Sequence, residues 1–192
     1  MQEILYETIP SLDLDDFHRG NASTKQRFVE TLGEAYNNIG FAAIRNHFLS
    51  ADMQSRLYDA IKKFFALPDD VKKKYELAGI SGQRGYTGKG KEHAKGRNTG
   101  DLKEFYHVGQ ELPPDKLAKE NYPPNVWPTE VPEFKAAAVD VYNALEQTGI
   151  YMLRAIALYL ELPEKYFDDK IKEGNSILRP IHYFPIENPD AV

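Results

Sequence analysis

Carboxylates, histidines, arginines and tyrosines are the side chains of this 192-residue sequence that can do chemistry, because the sequence contains no cysteine. A cysteine nucleophile, a zinc-thiolate site and a disulfide framework are therefore excluded. None of the five histidines lies in an HExxH or H-x-D/E pattern: they are His18, His47, His93, His107 and His182. We therefore assign no catalytic residue and no metal ligand within this chain.

A glycine-rich segment, residues 79–100, contains the adjacent pair Glu92 and His93. Such a pair can bind a metal, but adjacent residues in a glycine-rich loop are more simply polar surface. The segment contains neither GxGxxG after a strand nor GxxxxGK[ST], so nucleotide binding is not expected. Its glycine content predicts a long mobile loop or a pair of irregular strands, and a loop of this length is expected to act as a lid over a pocket.

Five further side chains have the chemistry of an anion site: Arg84, Tyr86, Arg179, His182 and Tyr183. An arginine can hold a carboxylate through two parallel hydrogen bonds, and a tyrosine hydroxyl can bind its second oxygen. The alternative is that these are amphipathic sheet residues whose hydrogen bonds are satisfied within the protein. The residues alone leave both interpretations open.

The composition is that of a globular protein. Hydrophobic residues make up 42%, and 24 Lys+Arg against 29 Asp+Glu give a net charge of −5, so we expect no nucleic-acid partner. No apolar run approaches ~20 residues, and the N-terminus lacks a basic stretch followed by an apolar one. We therefore expect no membrane span and a cytoplasmic location. No repeat or shift in composition divides the sequence, so residues 1–192 are predicted to form a single unit.

Helical periodicity predicts the elements that position these side chains. One helix is capped by Ser23 and ends near Gly40, and a second is capped by Ser50 and ends at Leu67-Pro68. The charged stretch 68–77 predicts a short helix with a solvated face. A long helix begins near Pro132 and ends at Leu162-Pro163, and a short helical turn covers residues 166–171.

Four segments have strand patterns. Residues 3–14 predict a short edge strand, residues 41–44 a buried strand, residues 101–108 a strand with both faces partly covered, and residues 177–185 a strand with proline at both shoulders. The proline-rich segment between Pro113 and Pro132 predicts a surface connection.

Four segments in order along the chain resemble the motifs of one enzyme family. Residues 9–14, IPSLDL, resemble IPxIDL, and residues 40–47, GFAAIRNH, are similar to GFFxxxNHG. Arg84-Gly85-Tyr86, followed by Lys91-Glu92 and by residues 101–105, DLKEF, resembles RGYxxxGxE…DxKExF. Residues 178–183, LRPIHY, resemble LRxxHYPP. Together they resemble the N-terminal half of the isopenicillin N synthase-like Fe(II)- and 2-oxoglutarate-dependent oxygenases.

The resemblance implies an α+β fold, the N-terminal part of a jelly-roll (double-stranded β-helix) oxygenase whose sheet is backed by a long helix. It implies a dioxygenase that uses Fe(II), 2-oxoglutarate and O₂ on a small organic molecule. The family's HxD motif, distal histidine and RxS motif are absent from this sequence, so the metal ligands are expected beyond residue 192.

The resemblance also implies roles for individual residues. Tyr183 aligns with a strand tyrosine near the co-substrate or substrate, and Arg84 and Tyr86 align with a loop over the pocket mouth. Arg179 is either a pocket residue or structural. His182 faces opposite to Tyr183 on a regular strand and is the weaker pocket candidate.

Two alternative functions stay open from the sequence. One is a non-catalytic binding or interaction module with a truncated oxygenase fold, and the other is an isopenicillin N synthase-type oxidase that uses no 2-oxoglutarate. The sequence does not determine the substrate, the choice among hydroxylation, desaturation and ring closure, or the oligomeric state.

Overall fold

A computed structural model describes residues 8–92, 100–120 and 122–186. The chain divides into two compact units, one formed by residues 1–50 with 143–172 and the other by residues 51–142 with 173–192. The single unit expected for residues 1–192 stays a prediction. Within the described ranges, no helix is long and apolar enough to cross a membrane.

The first unit contains a small parallel sheet and several helices. Strand β1 (Ser11–Asp13) pairs with β2 (Ala43–Arg45), and they are accompanied by α1 (Leu14–His18), α2 (Ala22–Asn38) and α7 (Asp168–Ile171). Helix α1 was not predicted. It directly follows β1, and the Asp13 side chain caps it by accepting a hydrogen bond from the Asp15 N–H at 3.0 Å.

Helix α2 confirms the first predicted helix but corrects its cap. The Asn21 side chain accepts hydrogen bonds from the backbone N–H groups of Ser23 and Thr24, so Asn21 caps the helix and the predicted Ser23 lies inside it. The end near Gly40 is confirmed, since Gly40 has a φ of 84°, in the left-handed region that glycine adopts without strain.

Apolar side chains of β1, α1 and α2 pack with the C-terminal part of α6 (Glu133–Tyr159) to form the core of this unit. Leu14 and Leu32 are fully buried there, together with Ala155 of α6. Strand β2 confirms a strand in this segment, but the predicted burial of residues 41–44 is wrong, because Phe41 is 66% exposed and Ala43 is also exposed.

The second unit is built around an antiparallel sheet. Its helices are α3 (Ala51–Phe65), α4 (Asp69–Lys72), a 3-10 turn (Lys73–Tyr75), α5 (Pro114–Glu120) and the N-terminal part of α6. The four strands are β3 (Gly85–Thr87), β4 (Lys103–Gly109), β5 (Ile177–Leu178) and β6 (Ile181–Tyr183). Strand β4 pairs with β3 on one side and with β5 and β6 on the other.

The core of the second unit is aromatic. The Phe64 ring of α3 makes edge contacts with five rings at centroid separations of 5.0–5.9 Å. They belong to Phe65, Tyr75, Tyr86, Tyr106 and Phe134. Phe134 lies on α6 and contacts Tyr106 of β4, so the predicted packing of the long helix behind the sheet is confirmed.

Three segments of the second unit differ in part from their predicted structure. Pro180 divides the strand predicted at residues 177–185 into β5 and β6, because it has no N–H for the ladder. Helix α5 lies inside the segment predicted as a plain surface connection. Strand β3 supports irregular strands within residues 79–100, whereas residues 93–99 of the predicted lid lie outside the described residues.

Candidate active-site sheet

The two faces of β4 have different chemistry. Residues paired across an antiparallel sheet share a face, and successive residues alternate. Glu104 pairs with His182 and Tyr106 pairs with Tyr86, so these four side chains lie on the face that packs against Phe64. The opposite face carries Lys103, Phe105 and His107 of β4, with Ile181 and Tyr183 of β6.

A buried carboxylate is the centre of the first face. Glu104 is 1% exposed and accepts hydrogen bonds from Lys72 Nζ at 2.8 Å, Tyr86 Oη at 2.5 Å and His182 Nδ1 at 2.8 Å. Lys72 is itself 4% exposed and also pairs with Asp69 at 3.0 Å. The prediction that the charged stretch 68–77 is simply a solvated face is therefore wrong at Lys72.

The electrostatics of this group keep Glu104 ionised. Burial alone would raise the pKa of the Glu104 carboxyl, but the hydrogen bonds from Lys72, Tyr86 and His182 outweigh it and lower the pKa. Burial also acts to lower the pKa of Lys72, and the contacts with Glu104 and Asp69 reverse this and raise it. Tyr86 stays protonated because burial and the neighbouring Glu104 charge both raise its pKa.

A cavity of about 300 Å³ opens beside β3 and β4. Its lining includes aromatic and apolar groups from Phe105, Tyr86 and Leu77, and carboxylates from Glu76 and Glu92. One oxygen of Glu76 is buried and has no hydrogen-bond partner within the described part of the chain. The cavity therefore combines apolar walls with polar groups, as small-molecule sites generally do.

Arg179, between β5 and β6, lies next to this cavity. Its guanidinium carbon is 4.5 Å from the centre of the Phe105 ring, and its Nε donates a hydrogen bond to His107 Nε2 at 2.5 Å. Its Nη1 is 3.9 Å from Glu92. Both Phe105 and Glu92 line the cavity, so the guanidinium contacts two residues of the cavity wall.

Arg84 and Tyr86, predicted at a pocket mouth, are both buried. Arg84 is 1% exposed, and its guanidinium donates to the Gln83 carbonyl at 2.7 Å and to Asn175 Oδ1 at 2.6 Å. Burial lowers the pKa of Arg84. Tyr86 lines the cavity, but its hydroxyl donates to Glu104. Their roles in ligand binding stay predictions.

Tyr183 and His182 have opposite surroundings, as strand alternation requires. Tyr183 is 67% exposed and lies on the same face of the sheet as Phe105, whereas His182 reaches Glu104 and stacks on Phe65 at 5.6 Å between ring centres. The structure thus leaves the Tyr183 hydroxyl available to a ligand, and its pocket role stays a prediction.

Within the described ranges, no group of three or more His, Asp or Glu side chains can hold a metal ion. Glu92 is bound by Lys103 at 2.8 Å, and its predicted companion His93 lies outside the described residues. Glu104 and His182 are close, but that carboxylate already accepts from Lys72 and Tyr86. The described residues therefore do not fit an Fe(II) site.

Sequence reasoning missed Lys72, Glu104 and His107. One signal was present for Glu104: strand alternation at residues 101–108 places it on the same face as Tyr106 and Val108, and a charged residue on an apolar face requires a buried partner. Nothing local identified Lys72 as that partner, because the two residues are 32 positions apart.

Comparison with known proteins gives the family of this fold. The family model described as "non-haem dioxygenase in morphine synthesis N-terminal" matches residues 9–130. The chain belongs to this dioxygenase family. The match confirms the resemblance to isopenicillin N synthase-like oxygenases that the motifs indicated.

Individual relatives agree with this family membership. The 2-oxoglutarate-Fe(II) type oxidoreductase hxnY of Emericella nidulans is 30% identical over 181 residues, which cover 91% of this chain and 52% of that protein. A 2OG-Fe(II) oxygenase family protein from Caulobacter crescentus superposes with a TM-score of 0.81 and 38% identity, covering 94% of this chain and 58% of that one.

A full-length Neurospora crassa protein, solved in complex with alpha-KG, superposes with a TM-score of 0.78 and 26% identity over 93% of this chain and 56% of its own. These neighbours confirm the predicted α+β class and its assignment to the N-terminal part of a jelly-roll oxygenase. The chain spans between half and three fifths of the length of these three relatives.

Proposed function

We propose that this chain is the N-terminal part of an Fe(II)- and 2-oxoglutarate-dependent dioxygenase that oxidises a small organic molecule with O₂. The observation that carries the proposal is the 38% identity and TM-score of 0.81 to a 2OG-Fe(II) oxygenase family protein over 94% of this chain. A cavity with aromatic walls beside the central strand supports a small-molecule substrate.

The iron ligands belong, in this proposal, to sequence beyond residue 192. The support is chemical, since the described residues provide no group of three ligands and their best carboxylate, Glu104, is bound by Lys72 and Tyr86. This chain would then contribute the sheet, the cavity and the side chains at its rim.

We propose different roles for the four predicted site residues. Tyr183 is exposed and Arg179 stacks on Phe105, which lines the cavity, so we propose that these two residues bind the substrate or 2-oxoglutarate. Arg84 is buried and donates through Nη1 and Nη2 within the fold, and the Tyr86 hydroxyl donates to Glu104, so we propose that these residues shape the pocket rather than bind in it. The cytoplasmic location and the absence of a nucleic-acid partner stay predictions.

The test uses the protein expressed from the complete coding sequence. With Fe(II) and carboxyl-labelled 2-oxoglutarate, we expect release of labelled CO₂ and formation of succinate, both abolished by EDTA. O₂ consumption without succinate formation would instead identify an oxidase that uses no 2-oxoglutarate. Absence of both reactions would favour a binding module.

A parallel measurement tests where the iron ligands lie. Calorimetric titration of the 192-residue polypeptide with Co(II) is expected to show no stoichiometric site of micromolar affinity. Such a site would contradict the assignment of the ligands to other sequence, and Glu92→Gln and His93→Asn variants would then identify whether that pair forms it.

A further inference from the structure

The imidazole of His107 holds Arg179 in one orientation. Its Nδ1 is 2.5 Å from the Gly82 carbonyl oxygen, which can only accept, and its Nε2 is 2.5 Å from Arg179 Nε, which can only donate. The ring must therefore be neutral, with its proton on Nδ1. Burial lowers the pKa of His107, which agrees with a neutral ring.

The Phe105 ring packs against the Arg179 guanidinium and supports the orientation that His107 imposes on it. The guanidinium lies over the Phe105 ring at 4.5 Å, and the Phe105 and His107 rings are 4.6 Å apart. A guanidinium stacked on a ring and bonded through Nε has lost most of its freedom, so its two terminal nitrogens are held in place before a ligand arrives. Within the described ranges, these nitrogens donate no hydrogen bond; their nearest acidic group is Glu92, 3.9 Å from Nη1.

The carboxylates around the cavity are already paired with lysines. Lys103 Nζ lies 2.8 Å from Glu92 and 2.9 Å from Asp101, and Lys91 Nζ lies 3.4 Å from Glu76. The contact of Arg179 with Glu92, at 3.9 Å, is the longest of these ion pairs, and Lys103 holds the same Glu92 oxygen at 2.8 Å. A planar carboxylate from outside can take both of its terminal nitrogens in parallel hydrogen bonds.

We propose that Arg179 binds a carboxylate of the substrate, one attached to an apolar body that enters the cavity, and that His107 is the positioning residue that orients Arg179. The apolar body is argued from the Phe105 and Leu77 walls of the cavity. This inference deepens the proposed function, on which it rests in treating the ligand as the substrate.

The test measures binding to the protein from the complete coding sequence. The probe is benzoate, a planar carboxylate on an apolar ring, and calorimetry gives its dissociation constant. Arg179→Lys keeps the charge but removes the planar fork, and His107→Phe keeps a ring but removes both nitrogens. We expect each to weaken benzoate binding at least tenfold. His107→Gln, which retains a donor and an acceptor, is expected to restore affinity to within threefold of wild type.

Controls separate positioning from a structural role. Arg27→Lys, at an exposed arginine of the other unit, is expected to bind benzoate as the wild type does. Nitrogen NMR of the wild type should show His107 protonated at Nδ1 alone. Circular dichroism melting identifies any variant that fails to fold. If His107→Phe fails to fold, Arg179→Lys decides the proposal, because the Arg179 side chain is 39% exposed and its replacement is not expected to disturb the core.

Other results overturn the inference. They are wild-type-like benzoate affinity in Arg179→Lys, no saturable benzoate binding by the wild type, or a loss of 2-oxoglutarate affinity in Arg179→Lys while benzoate affinity stays unchanged. The last result would make Arg179 a co-substrate residue. Succinate formation by the wild type is a separate measurement. A failed benzoate test would therefore not contradict the proposed dioxygenase activity, and a failure to form succinate would not contradict carboxylate binding by Arg179.

Discussion

The buried ion pair between Lys72 and Glu104 is expected to be strongly coupled. The two side chains are 4% and 1% exposed, and their charged atoms are 2.8 Å apart. Removing one partner of such a pair leaves an uncompensated buried charge and costs about 3–5 kcal/mol, whereas replacing both is often close to neutral. The effect of the double substitution should therefore be far smaller than the sum of the single ones.

The structure places each single substitution near the lower end of that range. In Lys72→Met, the Glu104 carboxylate keeps hydrogen bonds from Tyr86 and His182, and in Glu104→Gln, Lys72 keeps Asp69 at 3.0 Å. We expect each to lower the free energy of unfolding by about 3 kcal/mol. The double variant should lose about 4 kcal/mol or less, a coupling of at least about 2 kcal/mol.

Urea denaturation followed by circular dichroism measures all four corners of this cycle. The matched control is the exposed pair Lys63 and Glu133, changed to Met and Gln, whose effects should be nearly additive because solvent screens the charges. If the Lys72 and Glu104 effects add to within about 0.5 kcal/mol, the two groups do not interact in the folded protein and the reasoning is refuted.

Three further predictions follow from single contacts. The folded-state pKa of Glu104 lies below the ordinary 4.5. The stability difference between wild type and Glu104→Gln should therefore be constant above pH 4.5 and shrink as the pH falls below it. Urea denaturation from about pH 7 to about pH 3 measures this difference. Gly33→Ala should destabilise by about 1–3 kcal/mol, because a Cβ there meets the Tyr159 ring, whereas Gly149→Ala, with open space around it, should stabilise by about 0.5–1 kcal/mol; equal effects in thermal melts would contradict this. Tyr183→Phe should weaken binding of 2-oxoglutarate or substrate by ~0.5–3 kcal/mol with little change in melting temperature, and a lowered melting point with unchanged affinities would make it a packing residue.

Periodicity was sufficient for the long elements and insufficient for the short ones. Helices α3 and α6 follow apolar spacing over several turns, and β4 alternates over seven residues, so the sequence predicts each. The short helix α4 follows from the charge order of residues 68–77, whereas α1 and α5, with five and seven residues, have too few turns for a periodic pattern. Their positions depend on caps and on packing against the rest of the chain.

The site residues could be predicted only where a sequence motif contains them, because their contacts join distant parts of the chain. Motif resemblance identified Arg179, which stacks on Phe105 of the cavity wall, and Tyr183, which is exposed. It did not identify His107, because the contact with Arg179 joins residues 72 positions apart. Arg84 has the chemistry of an anion site, yet burial and Asn175 direct its donors into the fold, and no local pattern reports that outcome.

The buried Glu104 carboxylate also determines which β6 side chains lie on the opposite face of the sheet. Glu104 pairs with His182 across β4 and β6, and their hydrogen bond holds that register. A slip of one residue in this register would turn every β6 side chain to the other face of the sheet. His182 would then lie on the face of Phe105, and Tyr183 would lie against the Glu104 carboxylate. Such a slip would bury the Tyr183 ring and remove one donor from an ionised group, so the charge network opposes it. The network on one face thereby holds Tyr183 on the other, which also carries Lys103 and Phe105.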